Sequence, residues 1–252
     1  MTAEWAEDRA VLRIGGADAK RFLQDLVTND LKAAKDGLVY AALLSPQGKY
    51  LFDFFLVEDG EGYLLDVKAG RATALAQRLT MYRLRADVTI EGTDLKVNRG
   101  LGELPAGAFA DPRHPALGWR SYDAEKAGDP VVDWAAIRVE HCIPETGVEL
   151  IPDDSYILEA GFDALHGVDF RKGCYVGQEV TARMKHKTEL RKGLRTVLVE
   201  GSAPVGTEIT TEDGKQAGML YSQSGGRGIA YLRLDRARGR MQAGDAVVTL
   251  PE

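Results

Sequence analysis

In GADAKRFLQDLVTNDL (16–31), Phe22, Leu23, Leu26 and Val27 recur at helical spacing, so the stretch predicts a helix. Asp18 is placed to cap it and Thr28, Asn29 and Asp30 to stop it. In VYAALLSPQGKYLFDFFLVEDGEGYLLDV (39–67) the pattern changes to apolar runs cut by Ser45-Pro46-Gln47-Gly48 and by Asp59-Gly60. Runs of that length between turn residues predict a three-strand meander. AGRATALAQRLTMYRLRADVTIEG (69–92) predicts a helix to about Tyr82 and then a strand over 87–91. The span 93–129 is rich in Gly, Pro and Asp and predicts loops with one short strand. Asp129-Pro130 then opens a helix over VVDWAAIRVEHC, which puts Cys142 on its apolar stripe. Residues 144–174 are turn-rich. From Arg191 onward, GLRTVLVE, GTEITTEDGKQAGML, RGIAYLRL and DAVVTL are short β runs, the pattern of a small all-β domain or barrel.

Composition narrows the function classes. A chain of 252 residues, 44% hydrophobic, can build a sizeable core. Its net charge of -6 argues against a general nucleic-acid coat. No run reaches the ~20 apolar residues of a membrane helix. The first residues, MTAEWAEDRA, carry acids early and no apolar core, unlike a secretory signal or a mitochondrial presequence, so the expectation is a cytoplasmic protein. Cys142 and Cys174 are far apart, with no CxxC pair, and His114, His141, His166 and His186 show no metal-binding spacing. No stably bound metal is expected, and four-cysteine ligation of an iron–sulfur cluster is impossible from this chain alone.

The candidate chemistry lies in KGCYVGQE (172–179). A helix beginning near Cys174 would place Cys174 and Gln178 on one face with Glu179 beside them. That helix N-terminus and Lys172 would both favour a thiolate. Equally, a cysteine between glycines is a small residue that a tight turn can bury. Eight Lys and Arg, Arg183 among them, stand against three acids between His166 and Thr196. Such a stretch serves either as an anion site or as a solvated linker. A second arginine cluster, Arg227 to Arg240, reads as surface cover on strands.

KGCYVGQEVTAR (172–183) resembles the K-G-C-[FY]-x-G-Q-E signature of the YgfZ family, folate-binding proteins related to the aminomethyltransferase T-protein of glycine cleavage. GADAKRFLQDLVTND, LLSPQGKYLFDFFLV and YRLRADVTI resemble other parts of that family in the same order. The resemblance implies an α+β, T-protein-like architecture. A discontinuous folate-binding domain would occupy 1–38 and 124–189, a ferredoxin-like domain 39–123, and a small β-barrel 190–252. It implies tetrahydrofolate or a derivative, bound non-covalently, with Glu159 of YILEAG (156–161) and Arg183 as contacts. A carboxylate suits the pterin edge because its two oxygens can pair with adjacent N–H donors. The implied role is support of iron–sulfur protein assembly or repair, including tRNA-modifying cluster enzymes. Cys174 would be the functional thiol, with Lys172, Gln178 and Glu179 shaping its surroundings. Partners would then be folate and iron–sulfur client or carrier proteins.

The sequence departs from T-proteins at LFDFFLV, where Asp53 stands alone and Phe54 follows. That departure is consistent with a relative lacking aminomethyltransferase activity. Two other readings stand beside the first. One is a folate-dependent C1 transferase using Asp53 as acid or base. The other is an adaptor binding a protein or RNA through 183–195, with RNA the weaker choice given the acidic balance.

Overall fold

A computed structural model describes residues 2–60, 62–186 and 190–251. Lys187 and Glu189 of the basic stretch lie outside the described residues. The chain divides into two compact units, Met1–Val132 with Asp163–Gln178, and Asp133–Phe162 with Glu179–Glu252. Sheets dominate both units, and the fold class is α+β.

The first unit begins with β1 (Thr2–Trp5), β2 (Arg9–Gly15) and a six-residue helix, α1 (Ala19–Gln24). The expected meander follows as β3 (Val39–Leu44), β4 (Tyr50–Asp59) and β5 (Gly62–Lys68). Next come α2 (Ala72–Arg83), β6 (Thr89–Gly92), β7 (Lys96–Leu101), β8 (Phe109–Ala110) and β9 (Trp119–Asp123). One antiparallel sheet has the order β3-β4-β5-β2-β6 and another β1-β7-β9-β8. β2 pairs with β5, so residues 9–15 belong to the same sheet as 39–67, and the 39–123 segment is not closed on itself.

Alternation along β4 and β5 splits the side chains between two faces. Phe52, Phe54, Leu56, Leu65 and Val67 join Phe22, Leu23, Leu75 and Leu79 in an apolar core beneath the helices. Each such side chain, when fully buried, contributes about 1.5–3 kcal/mol. The opposite face carries Asp53, Phe55 and Asp66. Asp66 is fully buried and accepts from Arg9 Nε at 2.6 Å, Arg120 Nη1 at 3.1 Å and Tyr122 Oη at 3.3 Å. Asp111 receives Arg113 Nη2 at 2.8 Å and Arg120 Nε at 3.1 Å. Burial alone would raise the Asp111 carboxyl, but Arg113 and Arg120 outweigh it and hold it at about 2. The guanidinium carbon of Arg120 sits 4.2 Å from the Phe55 ring centre, and that of Arg113 at 4.8 Å, within cation–π range.

Several expectations are corrected here. The helix over 16–31 is cut to α1, followed by a 3-10 turn at Leu31–Lys35, because Thr28 and Asn29 turn their side chains away to other partners. Asp18 makes no cap. Its carboxylate accepts from Asp87 N at 2.8 Å instead. The span 93–129 holds three strands, not one. Their buried side chains include Asn98 and Arg120, both polar, so no apolar alternation marks them.

The second unit opens on α3 (Trp134–Glu140), which is capped by Asp133, whose Oδ1 accepts from Ala136 N at 2.9 Å. Cys142 lies past the end of α3 in a left-handed backbone conformation (φ 52°), not on its stripe. Then come α4 (Gln178–His186), β10 (Lys192–Glu200), β11 (Thr207–Thr211), β12 (Gln216–Ser224), β13 (Arg227–Arg233), β14 (Met241–Ala243) and β15 (Ala246–Thr249). The six strands close into a barrel around Val197, Ile209, Leu220, Leu232 and Val248, as the run of short β segments predicts. Closure leaves no unpaired sheet edge. Residues 133–162 are tied to the barrel by Glu149, which is buried. It accepts from Ser222 N at 3.2 Å and Arg138 Nη1 at 3.3 Å.

Candidate functional site

Thr28 and Asn29 fasten the returning segment 163–178 to the first unit. Thr28 Oγ1 donates to Gly167 O at 2.7 Å and accepts from Ala42 N at 2.8 Å, while Thr28 O accepts from Asp169 N at 3.1 Å. Asn29 Nδ2 donates to Tyr40 O at 2.8 Å and His166 O at 2.6 Å. Lys172 completes the joint. Its Nζ is within 2.7 Å of Gln24 O, 2.5 Å of Val27 O and 3.1 Å of Asn29 O. Carbonyls at and beyond the end of a helix lack partners within it, and a cation there also suits the helix dipole. Burial pushes the Lys172 ammonium down to about 8, against the pull of Asp30, Asp25 and Asp169.

Past Lys172 the chain alternates between exposure and anchorage. Tyr175 is buried, Val176 packs on the apolar core, and Gly177 sits at φ +81° against the β3–β4 turn. A Cβ at Gly177 would meet Ser45 O at 2.6 Å and Gly48 Cα at 3.1 Å. The Ser-Pro-Gln-Gly turn and the cysteine motif, 130 residues apart in round terms, are thus in contact. At Gly173, by contrast, a Cβ would meet nothing within 4 Å. Gly177→Ala is expected to cost about 2–4 kcal/mol, from the left-handed backbone and the clash together. Gly173→Ala is expected to stay within about 0.5 kcal/mol. Urea unfolding of the two variants checks this, and equal midpoints would refute it.

Cys174 is a free, exposed thiol between these anchors. α4 begins only at Gln178, so Cys174 and Gln178 do not share a helix face, contrary to the expectation. Gln178 Nε2 reaches back to Gly173 O at 3.4 Å. Lys172 is directed at the three carbonyls. Glu179 and Arg183 are exposed in the first and last turns of α4. An open groove of about 510 Å³ runs beside Asn29, His166, Phe170 and Arg171, just ahead of the motif. Cys142 has a different environment: burial pushes its thiol up to about 11.

Asp53 is buried on β4, accepting from Tyr50 Oη at 2.7 Å and Tyr40 Oη at 3.0 Å. Phe54 is fully buried in the apolar core on the other face of the strand. Glu159, in the second unit, is half-buried, and its Oε2 accepts from Tyr231 Oη at 2.6 Å. Sequence reasoning reached Glu159 but missed Tyr231, which lies 72 residues away. It also took Thr28 and Asn29 for a simple helix stop, although a Thr-Asn-Asp run is itself a cluster of side chains suited to bridging backbone groups. Among the described residues, no three His, Cys, Asp or Glu side chains converge as a metal site.

Comparison with known proteins places this geometry. The whole chain superposes on the glycine cleavage system aminomethyltransferase T of Bartonella henselae with a TM-score of 0.74, at 14% identity, over 99% of this chain and 84% of that one. The sequence profile of the CAF17 C-terminal β-barrel domain matches residues 191–252. The class is therefore that of aminomethyltransferase-fold proteins closed by such a barrel. Within it, the chain is 32% identical to the mouse mitochondrial iron–sulfur cluster assembly factor IBA57, over 92% of this chain and 78% of that protein. It is 31% identical to the human protein over 94% and 80%, and 30% identical to the Mycosarcoma maydis homologue over 91% and 73%. The chain belongs to the IBA57 family of iron–sulfur cluster assembly factors.

Proposed function

We propose that this chain binds tetrahydrofolate or a derivative and, through Cys174, supports assembly or repair of iron–sulfur proteins, tRNA-modifying cluster enzymes among them. The observation that carries the reading is the contrast within one motif. Lys172, Tyr175 and Gly177 are held in place, while Cys174 is presented to solvent with open space at Gly173. A structural cysteine would be the buried member of such a loop. The cluster is cargo, received from or handed to partner proteins that approach the exposed loop. The basic stretch at 183–195 belongs to that approach, with nucleic acid not expected. The YgfZ-type signature supports the same assignment. On sequence grounds the proposed location is the cytoplasm, whereas the relatives named above are mitochondrial. Among the described residues no helix is long and apolar enough to cross a membrane.

For folate, the proposed contacts are Glu159 and Arg183. Glu159 offers carboxylate lone pairs to N–H donors of a pterin edge, and Arg183 offers a cation for the ligand's carboxylate tail. Folate held by these residues would supply one-carbon chemistry. The C1-transferase alternative relies on Asp53, both of whose oxygens are already engaged by tyrosine hydroxyls. Calorimetric titration with tetrahydrofolate tests the reading: wild type binds in the micromolar range, and Glu159→Gln weakens binding about a hundredfold through loss of a charged acceptor. No binding by wild type would remove folate from the proposal.

A further inference from the structure

Glu159 is gripped at both ends by one register pair of the barrel. β10 and β13 run antiparallel with Leu194 opposite Tyr231. Leu194 N donates to the Glu159 carbonyl at 2.8 Å, and Tyr231 Oη donates to Glu159 Oε2 at 2.6 Å. Gly193 eases the close approach, since a Cβ there would lie 3.2 Å from the Glu159 carbonyl oxygen, a tight contact. One strand pair thus fixes the main chain of this residue, and the same pair fixes its carboxylate. A glutamate side chain has three rotatable bonds, and half-buried acids usually sample several rotamers. This one is tied at its tip to a ring whose own backbone is locked into a closed barrel.

We infer that Tyr231 is the positioning residue for the folate contact, holding the Glu159 carboxylate in the one orientation that serves a flat ring with adjacent N–H donors. The inference rests on the folate reading above. Each carboxylate oxygen has two lone-pair sites, and the tyrosine occupies one of the four. The Tyr231 hydroxyl stays the donor across the working pH range, because burial and the bond to Glu159 push its ionisation well above the ordinary tyrosine value. With the carboxylate preset, the ligand does not have to immobilise it, and that ordering cost is removed from binding.

The experiment is a double-mutant cycle on the full chain, with tetrahydrofolate as the probe and melting temperature as a control. Tyr231→Phe removes one oxygen and leaves the ring. It is expected to weaken tetrahydrofolate about tenfold while lowering the melting temperature of the unliganded protein by no more than a few degrees, the effect of losing one part-buried hydrogen bond. In the Glu159→Gln background the same change is expected to have no further effect, because the tyrosine acts through the carboxylate. Unchanged binding by Tyr231→Phe would overturn the inference while leaving the folate reading intact. An equal loss in both backgrounds would also overturn it, showing a role independent of Glu159. A wild type that fails to bind would remove the folate reading and this inference together.

Discussion

Cells in which Cys174→Ala replaces the native chain are expected to lose most of the activity of their iron–sulfur enzymes, while the purified variant melts with the wild type. The thiol is exposed, and truncating an exposed side chain away from caps and cores changes stability by about 0.5 kcal/mol or less. Lys172, Tyr175 and Gly177 remain to hold the loop. A functional thiol and a packing thiol therefore separate cleanly. Alkylation gives an independent check. A maleimide at neutral pH is expected to modify Cys174 first. Cys142, with its thiol at about 11, holds only about one part in ten thousand as thiolate at pH 7. If Cys174→Ala lowered the melting temperature like a core deletion, or left cluster enzymes at full activity, the thiol would be structural or idle.

The second large effect is on stability. Asp66→Ala is expected to cost about 3–5 kcal/mol, because it takes a shared carboxylate from two buried guanidiniums rather than merely deleting a contact. Arg9 and Arg120 are each under a tenth exposed, and Asp66 supplies their carboxylate at 2.6 and 3.1 Å. The bond from Arg9 Nη2 to the Asp66 carbonyl at 2.9 Å survives the substitution, and so does the Arg120–Asp111 pair, which keeps the estimate from going higher. Coupling distinguishes an ionic network from simple packing. Asp66→Ala with Arg120→Met should cost less than the two singles added, by about 1–3 kcal/mol. Urea unfolding followed by tryptophan fluorescence measures all four proteins. Strict additivity would mean that the two side chains do not depend on one another.

The same network explains which parts of the fold could be read beforehand. The β3–β5 meander was legible because its strands are apolar on nearly every residue and its turns carry Ser-Pro-Gln-Gly and Asp-Gly. The barrel was legible from short β runs at regular spacing, except for β14, whose three residues are too few to form a pattern. β9 was not, because its inward residues are Arg120 and Tyr122, and a strand that buries charge looks like a loop to any rule built on hydrophobicity. Asp53 and Asp66 interrupt apolar runs for the same reason: they line the polar face of a sheet buried on both sides. At the candidate site, the motif around Cys174 could be found by its residues. What each does could not. Lys172 reads as a neighbour that activates the thiol, and only the fold turns it toward Gln24, Val27 and Asn29. Tyr231 has no signal at all, since a hydroxyl becomes a positioning group only when the barrel register brings it to Glu159.

The joint between Lys172 and the end of α1 also sets a schedule for the newborn chain. Gln24 and Lys172 are 148 residues apart. At about 5–20 residues per second, the ribosome takes roughly 7–30 s to deliver the lysine after the carbonyls it will hold. During that interval α1, β3 and the Thr28-Asn29 turn have emerged without their partner segment. Residues 133–162, which belong to the second unit, appear before the first unit can close. The first unit is completed only when residue 178 leaves the tunnel, and the second only when the barrel strands have followed it. Throughout that interval the nascent chain has to stay soluble on the strength of its early strands alone.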